Sequence, residues 1–327
     1  MSHDWKGDFK QFLSMGTHFA PFWIIGLVAL VVVIAYGLLA RHFQSGSSVV
    51  LYASQDQVYA EPILGDFERE TGIRVRTVFD SEAAKTVAIA NRLLAERRRP
   101  QCDVYWGNEE LRTRQLAAAG VFRETNGWAA FGYRSRRLTL AAGATNPPPQ
   151  SLADLTNAQW RGRVALAYPM FGTTATHLLA LRQHWGESNW LAWCVSLAAN
   201  KPFIVDGNSV SAKFAARGEA AVALTDSDDI AAEVRGGAKL TALPMTPETL
   251  LIPNTVAVVR GCPHPGAAQK LFEYLQRPSV VARLVTARAL EGASVAEVST
   301  STLKPDWDAL LRDLEPATDA MKRIFRR

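Results

Sequence analysis

Apolar residues form one uninterrupted run near the start of the chain, Phe19 to Ala40, which contains no charged residue. A helix of that length spans the roughly 30 Å hydrocarbon core of a bilayer, since each residue adds about 1.5 Å. Trp23 and Tyr36, near its two ends, fit the aromatic belts of membrane interfaces. A cleaved signal peptide is the alternative, although its apolar region is usually only about 7–15 residues long. The pattern predicts a transmembrane helix over 19–40, kept as an uncleaved signal anchor.

The residues on either side of this run indicate its orientation. Residues 1–18 mix charged residues with aromatic residues at helical spacing, which predicts a cytoplasmic or interfacial segment. Lys6 and Lys10 precede the run and Arg41 follows it, which favours a cytoplasmic N-terminus and an exported C-terminal body. Residues 41–48 are predicted to be a linker.

Beyond the linker, strand patterns and helix patterns alternate. Short apolar or alternating segments predict strands, and apolar residues at three- and four-residue spacing predict helices. The predicted strands are 49–53, 73–79 and 103–106, and the predicted helices are 57–70, 82–98 and 109–119. Because strands and helices follow one another in turn, we expect a parallel, doubly wound sheet and an α/β fold.

A proline run, Pro147 to Pro149, follows a predicted strand at 138–142 and marks a boundary. A second α/β unit extends from there to about Pro244. Its predicted strands are 164–167 and 221–225, and its predicted helices are 174–185, 190–199, 209–217 and 230–235. A strand at 254–259 and helices near 267–276, 279–286 and 307–314 complete the chain.

Composition narrows the function classes. The chain is 48% hydrophobic and 20% charged, with a formal net charge of +5, which is typical of a globular chain with one membrane span. No basic stripe with interleaved aromatic residues is present, so we expect no nucleic-acid partner. The three cysteines, Cys102, Cys194 and Cys262, lack metal-ligand spacing and are predicted to be free thiols. None of the six histidines stands in a nucleophile–base motif, so no catalytic residue and no enzyme activity are predicted.

Four separated stretches resemble one protein family, and they occur in the family's order. They are VVLYASQDQVYAEPILGDFERETGIRV at 49–75, DVYWGNEE at 103–110, ALTDSDD at 223–229 and LLIPNTVAVVRGCPHPGAAQKLFEYLQRP at 250–278. The sequence is similar to periplasmic solute-binding proteins of ABC importers, in the branch that binds ferric iron.

The resemblance implies a two-lobed type II periplasmic-binding-protein fold with the ligand in a cleft between the lobes. Lobe 1 is then discontinuous, 49–142 and 250–327, and lobe 2 is 143–249, with hinge strands at 138–142 and 254–259. It also implies an ABC permease in the bacterial inner membrane as partner. Together with the apolar run, this predicts a single-pass inner-membrane protein whose C-terminal domain lies in the periplasm.

Candidate ligand-binding residues follow the strands, because ligands of open parallel sheets bind beyond the carboxyl ends of the strands, near helix N-termini. Gln55 and Asp56 follow the first strand, and Asp56 either coordinates a cation or caps the next helix. Trp106, Asn108 and Glu109 follow the third strand. A carboxylate beside an indole suits a hard metal or an organic cation, and packing of Trp106 in the core is the equal alternative.

Two further loops of the second unit offer groups that suit an anion. Gly172, Thr173 and Thr174 precede a helix, as do Asn208 and Ser209. Free backbone N–H groups and hydroxyls at a helix start bind anions, but an ordinary helix cap explains them equally well. The resemblance implies a synergistic anion, bound together with the cation, at this place.

The last candidate is the acidic group Asp226, Asp228 and Asp229. Such closely spaced carboxylates repel one another unless a cation or solvent compensates them, although helix capping is the alternative. Iron-binding members of the family commonly carry two tyrosines here and a histidine at the place of Asp56, so this chain departs from the family's iron pattern at both places. Glu109, Asp228 and Asp229 are the predicted metal ligands. No resident cofactor is expected, and the candidate bound species are ferric iron or another cation with a synergistic anion.

These observations predict a membrane-anchored periplasmic solute-binding protein that captures a cation, with ferric iron as one candidate, for an ABC importer. The alternative is an accessory or structural subunit of a larger membrane complex that reuses the binding-protein fold. The anchor favours this alternative, since a freely diffusing binding protein does not need one.

Overall fold

A computed structural model describes Leu27 and residues 48–79, 87–144, 147–170 and 172–325. The predicted transmembrane helix over 19–40, its flanking segments and the start of the predicted helix 82–98 lie outside the described residues, apart from Leu27. Within the described ranges, no helix is both long and apolar enough to cross a bilayer. Residues Ser48–Arg327 form one unit, in which one long strand, Trp128–Ala141, pairs with strands of both halves of the sheet.

The first half-sheet begins with the predicted alternation of strands and helices. In chain order its elements are β1 Ser48–Ala53, α1 Gln57–Thr71, β2 Arg74–Phe79, α2 Val87–Glu96, β3 Val104–Gly107 and α3 Glu110–Ala118. β1 lies between β2 and β3 and is parallel to both, as a doubly wound sheet requires. Helix α1 ends at Gly72, whose positive φ of 69° is a conformation that glycine adopts readily.

Two long strands lie side by side in the middle of the sheet. They are β4 Trp128–Ala141 and β9 Leu251–Val258. From Trp128 to Ser135, β4 pairs antiparallel with β9; from Arg136 onward it pairs with β7, Val222–Asp226, and with β8, Leu240–Ala242. The predicted hinge strand 254–259 therefore coincides with the end of β9. The other predicted hinge strand, 138–142, lies slightly after residues 135–136, where β4 changes its partner strand.

The second half-sheet carries the remaining strands. Its elements are the 3-10 helices Ala153–Thr156 and Ala158–Trp160, then β5 Val164–Ala167, α4 Gly172–Trp185, α5 Glu187–Ala199, β6 Phe203–Val205, α6 Asn208–Ala216, β7 Val222–Asp226, α7 Ser227–Arg235 and β8 Leu240–Ala242. β5 is parallel to β6 and to β7. The strand order of the whole sheet is β2-β1-β3-β9-β4-β7-β5-β6, and β8 pairs with β4.

Four helices follow β9 and pack on different halves. They are α8 Pro265–Leu275, α9 Pro278–Thr286, α10 Val295–Val298 and α11 Trp307–Ile324. Leu271 and Leu284, from α8 and α9, belong to the apolar core of the first half-sheet. Leu310 and Leu314, from α11, pack with Leu178 of α4 in the core of the second half. The lobe boundaries remain a prediction, but this terminal helix packs on the half opposite to the lobe in which the prediction placed it.

Candidate functional site

Two buried arginines occupy the point where β4 leaves β9 and joins β7. Arg134 and Arg136 are each only 1% exposed, and being two residues apart on one strand they lie on the same face of the sheet. We call Arg134 and Arg136 the arginine pair. Burying two guanidinium groups is costly unless carboxylates compensate their charge, so the partners of this pair define the site.

Asp226, the last residue of β7, is shared by both arginines. Its Oδ1 lies 2.8 Å from Arg136 Nη1, and its Oδ2 lies 3.3 Å from Arg134 Nη2. The Thr173 hydroxyl also donates to this carboxylate, at 2.9 Å from Oδ2. Burial favours the protonated acid, but the two guanidinium groups outweigh it and hold the pKa of Asp226 below its ordinary value. Asp226 is therefore a buried carboxylate that stays ionised.

Asp228 and Asp229, in the first turn of α7, complete a group that we call the acidic triad with Asp226. The three residues are buried, and one oxygen of each lies within 4.8 Å of the others. Asp228 Oδ1 is 3.3 Å from Arg134 Nε, within ion-pair distance but not aligned as a hydrogen bond. Burial, together with the neighbouring Asp226 and Asp56, outweighs the attraction of Arg134 and raises the pKa of Asp228 to about 7. Asp228 is thus under-compensated in charge.

Amide side chains extend the site from β9 to the start of α6. Arg134 Nη1 donates to Asn254 Oδ1 at 2.9 Å, and Asn254 donates in turn to Gln55 Oε1 at 2.8 Å. Arg136 Nη1 donates to Asn208 Oδ1 at 2.6 Å. The predicted residues Gln55 and Asn208 therefore reach the same cluster from opposite halves of the sheet.

The arginine pair and Asn254 are site residues that were not predicted from the sequence. The available signal was the alternation of Arg134 and Arg136 on a segment between two strands, together with a polar residue inside the strongly apolar β9. A strand with arginines predicts ion pairs with an acidic loop only when it is known that the two segments are neighbours in the sheet. Here they are far apart in sequence, so the sequence does not show that they are neighbours.

Glu109 caps a helix in the described structure, and its predicted role as a metal ligand stays a prediction. It is fully buried at the N-cap of α3, where its carboxylate accepts hydrogen bonds from Leu111 N at 2.7 Å and Arg112 N at 2.9 Å. The Thr176 hydroxyl of α4 donates to it as well, at 3.2 Å. Burial raises the pKa of Glu109, partly offset by Arg112 and these hydrogen bonds. Its oxygens are committed to capping and to a contact between the halves, and it does not belong to the acidic triad.

Trp106 is a core residue. It is fully buried on β3 and packs against Phe131 with 6.0 Å between ring centroids. The alternative of a cation held on its indole face therefore has no geometric support, and the packing interpretation fits the structure.

The other predicted residues lie around the cluster. Asp56 is half-buried at the N-cap position of α1, but its side chain makes no capping hydrogen bond. Thr174 is buried at the start of α4, and its hydroxyl donates to Asn208 Oδ1 at 3.0 Å. Gly172, Asn108 and Ser209 are half-buried; Gly172 begins α4, Ser209 lies in the first turn of α6, and Asn108 lies between β3 and α3.

Hydrogen bonds fasten the two halves together beside the acidic triad. The Tyr59 hydroxyl of α1 donates to the backbone oxygen of Asp228 at 3.2 Å. Arg235, at the end of α7, donates to that same hydroxyl at 2.6 Å and to the backbone oxygen of Ala287 at 2.7 Å. In the described structure, side chains from both halves of the sheet are therefore in contact beside the acidic triad.

The fold and this buried site between two half-sheets define a solute-binding protein. Residues 49–286 match the bacterial extracellular solute-binding protein family, and the chain belongs to that family. No curated protein sequence matches the chain. The name of the family describes solute binding rather than catalysis.

Solved structures similar to the chain share its fold. Iron-bound HitA from Pseudomonas aeruginosa has a TM-score of 0.74 at 20% identity, covering 85% of this chain and 99% of HitA. The ferric binding protein from Campylobacter jejuni has a TM-score of 0.73 at 16% identity, covering 85% of this chain and 100% of its own. AfuA from Actinobacillus pleuropneumoniae, solved with fructose-6-phosphate, has a TM-score of 0.73 at 19% identity, covering 86% and 99%. The predicted resemblance to ferric-binding periplasmic proteins and the two-lobed α/β fold are confirmed at the level of family and fold.

Proposed function

We propose that this protein is the solute-binding component of an ABC importer and that it captures a metal cation on Asp228 and Asp229. The observation that carries the proposal is the buried oxygen Oδ1 of Asp228, which lies 3.3 Å from Arg134 Nε but accepts no hydrogen bond among the described residues. A cation stabilises a buried carboxylate oxygen that accepts no hydrogen bond more than it stabilises a carboxylate oxygen in water.

The charges around the arginine pair support a cation. Asp228, Asp226, Asp56 and Asp229 all raise the pKa of Arg134 against the opposing effect of burial, so four carboxylates act on one guanidinium. Asp226 is bound by both arginines, and Asp228 and Asp229 lie beside it in the first turn of α7, so these two carboxylates are the ones that we assign to a cation. Hard metal ions prefer oxygen ligands of this kind.

Ferric iron is the first candidate cation, with a synergistic anion at the starts of α4 and α6. Support comes from iron-bound HitA, which shares the fold. The hydroxyls of Thr173 and Thr174 and the amide of Asn208 lie next to Asp226, where an anion could contribute ligands to the same metal. AfuA, with its sugar phosphate, shows that this fold also accommodates an anionic solute.

Isothermal titration of the full chain in mild detergent tests the cation. Ferric citrate, Mn²⁺ and Ca²⁺ are titrated separately, and we expect saturable binding of at least one of them. Asp228→Asn and Asp229→Asn should each weaken it by at least tenfold, because each removes one charged ligand. Asp319→Asn, on the exposed face of α11, is the matched control and should bind as the wild type does. No saturable binding of any of the three would refute metal capture.

We also propose that residues 19–40 hold the protein in the bacterial inner membrane, with residues 48–327 in the periplasm beside an ABC permease. The uncharged run and its flanking basic residues support this placement. Alkaline extraction of membranes should leave the protein in the pellet, and protease added to spheroplasts should digest the C-terminal body. Release by alkali would contradict the anchor, and protection from protease would contradict the orientation.

The second candidate function is that of an accessory subunit in a larger membrane complex. It is favoured by the ion pairs of Arg134 with Asp226 and Asp228, which give the site an internal cation in place of a captured one. Extraction in mild detergent followed by mass spectrometry separates the two functions. A stable integral-membrane complex with no metal binding would support the accessory role, and recovery of the protein alone with bound metal would exclude it.

A further inference from the structure

Five exposed arginines lie where the parallel strands of the first half-sheet begin. Because β1, β2 and β3 are parallel, their amino ends share one edge of the sheet. Arg74 and Arg76 are at the start of β2, in register with Ser48 and Val50 of β1. Three more arginines follow α2 and precede β3. We call the five residues the basic edge: Arg74, Arg76, Arg97, Arg98 and Arg99.

The packing of α2 brings the two groups of arginines to the same part of the sheet. Residues paired in register point to the same face, so Arg74 and Arg76 share the face of Val50. Val50 packs against the apolar cluster that contains Leu93 of α2, so α2 covers this face. The chain then returns to the amino end of β3, where Asp103 donates its backbone N–H to Val50 O at 2.9 Å. The arginines after α2 therefore lie on the same edge as those of β2.

The positive charge of the basic edge is not compensated by the described acidic residues. The acidic residues that precede its two groups in the chain are engaged elsewhere: Glu96 pairs with Arg92 at 2.8 Å, and Glu70 pairs with Arg277 at 2.5 Å. Arg97 donates to a backbone oxygen, which leaves its charge in place. Five guanidinium groups without carboxylate partners create a positive potential that attracts an anionic surface.

The chain enters the folded unit at this same edge. Ser48 begins β1, and the seven residues 41–47 separate it from the apolar run 19–40. An extended chain spans at most about 3.6 Å per residue, so this linker holds Ser48 within about 30 Å of the end of the run. With residues 19–40 as the proposed anchor, the linker keeps the basic edge within reach of the membrane surface.

We propose that the basic edge docks on the anionic phospholipid headgroups of the membrane that holds residues 19–40; this inference rests on the proposed anchor. A basic residue near an anionic surface strengthens binding about fivefold, and the linker supplies the proximity. The candidate cation site lies at the opposite, carboxyl ends of these strands, where Gln55 follows β1 and contacts Asn254. Docking therefore uses no residue of the cation site.

Modification of arginines by phenylglyoxal, followed by mass spectrometry, tests the docking in the full chain. The chain is incorporated into nanodiscs of phosphatidylcholine alone or mixed with phosphatidylglycerol. We expect the basic edge to react at least about fivefold more slowly in the anionic discs. Arg217, exposed at the end of α6, is the internal reference and should react equally in both. In about 1 M salt, where the Debye length is about 3 Å, the difference should disappear.

A triple variant tests whether the arginines act together. The combined changes Arg97→Gln, Arg98→Gln and Arg99→Gln should remove most of the protection of the two arginines on β2 in anionic discs. Calorimetric metal binding by this variant should match the wild type, since the cation site is at the other end of the strands. The matched control replaces three exposed arginines of other surfaces and should keep the protection: Arg161→Gln, Arg217→Gln and Arg312→Gln.

The outcomes separate the docking from the anchor. Equal modification of the basic edge in neutral and anionic discs would overturn the docking while leaving the anchor in place, because the chain is still recovered with the discs. A chain that does not enter the discs would refute the anchor and the docking with it. Protection in native membranes, but not in anionic discs that hold no other protein, would identify a protein partner and overturn the lipid assignment.

Discussion

Replacement of Arg134 with methionine removes the guanidinium between Asp226 and Asp228 while keeping a long apolar side chain. Arg134 is buried on β4, its Nη2 lies 3.3 Å from Asp226 Oδ2, and its Nε lies 3.3 Å from Asp228 Oδ1. It also donates to Asn254 at 2.9 Å. The change therefore leaves two carboxylates and one amide oxygen in the interior without this partner.

The size of the effect follows from these contacts. Breaking a buried ion pair by removing one partner usually costs about 3–5 kcal/mol, because the remaining charge stays in the interior. Asp226 keeps Arg136 and Thr173, which limits the loss at that carboxylate. We therefore expect Arg134→Met to lower the free energy of unfolding by about 3–5 kcal/mol, since each carboxylate must then stay charged without Arg134 or take up a proton.

Urea unfolding of the full chain in mild detergent, followed by tryptophan fluorescence, measures this loss. The matched control is Arg217→Met: Arg217 is 68% exposed and lies 3.7 Å from an exposed Glu219. A surface ion pair of this kind contributes less than about 1 kcal/mol. The double variant Arg134→Met with Asp228→Asn should recover stability relative to Arg134→Met, since the uncompensated charge is gone.

The same variant connects stability to the proposed cation site. Without Arg134, the triad loses its internal cation, so Mn²⁺ should stabilise Arg134→Met more than it stabilises the wild type. The reasoning is refuted if Arg134→Met costs no more than Arg217→Met, or if the double variant is less stable than Arg134→Met alone.

Three further predictions concern single residues. His177 has a pKa near 3 in the fold and near 6.5 in the unfolded chain, so the free energy of unfolding should fall as the pH drops below 6.5, by about 2 kcal/mol at pH 5. In urea titrations at each pH, His177→Gln should remove that part of the pH dependence, and an unchanged pH dependence would contradict this role of His177. Trp106→Ala should cost about 3–5 kcal/mol in the same urea assay, against less than about 0.5 kcal/mol for the exposed Val58→Ala, and a small loss would mean that Trp106 is not core. Glu109→Gln should lower stability by about 1 kcal/mol through the weakened cap and leave calorimetric metal binding unchanged; lost binding would restore the predicted metal role.

Much of the fold could be predicted from the sequence because its first elements follow local rules. The alternation from β1 to α3 matches the predicted order, and hydrophobic periodicity is sufficient to identify such elements. The long strand β4 could not be predicted in full. Only 138–142 was predicted as strand, whereas the strand begins at Trp128, because Arg134, Arg136 and Arg137 conceal the pattern of a buried strand.

The candidate site was partly predictable for the same reason. The acidic triad is local in sequence, so its mutual proximity could be expected, and the structure brings its oxygens together. The roles of Glu109 and Trp106 could not be decided, because a carboxylate at a helix start and an indole after a strand have the same local pattern whether they bind a ligand, cap a helix or fill a core. Burial decides between these roles, and burial depends on contacts from the other half of the molecule.

The arginine pair and the acidic triad act as one electrostatic unit, although 90 and 92 residues separate Asp226 from Arg136 and Arg134. Neither group could be buried alone, since unpaired charges in the interior cost far more than the packing they allow. Under the proposed function, a cation that enters this region must therefore take the place of Arg134 on Asp228. The affinity for the cation then depends on the cost of displacing Arg134. Apart from Asp228 and Asp229, which would contact the cation, Arg134 should therefore be the residue whose replacement changes cation affinity most.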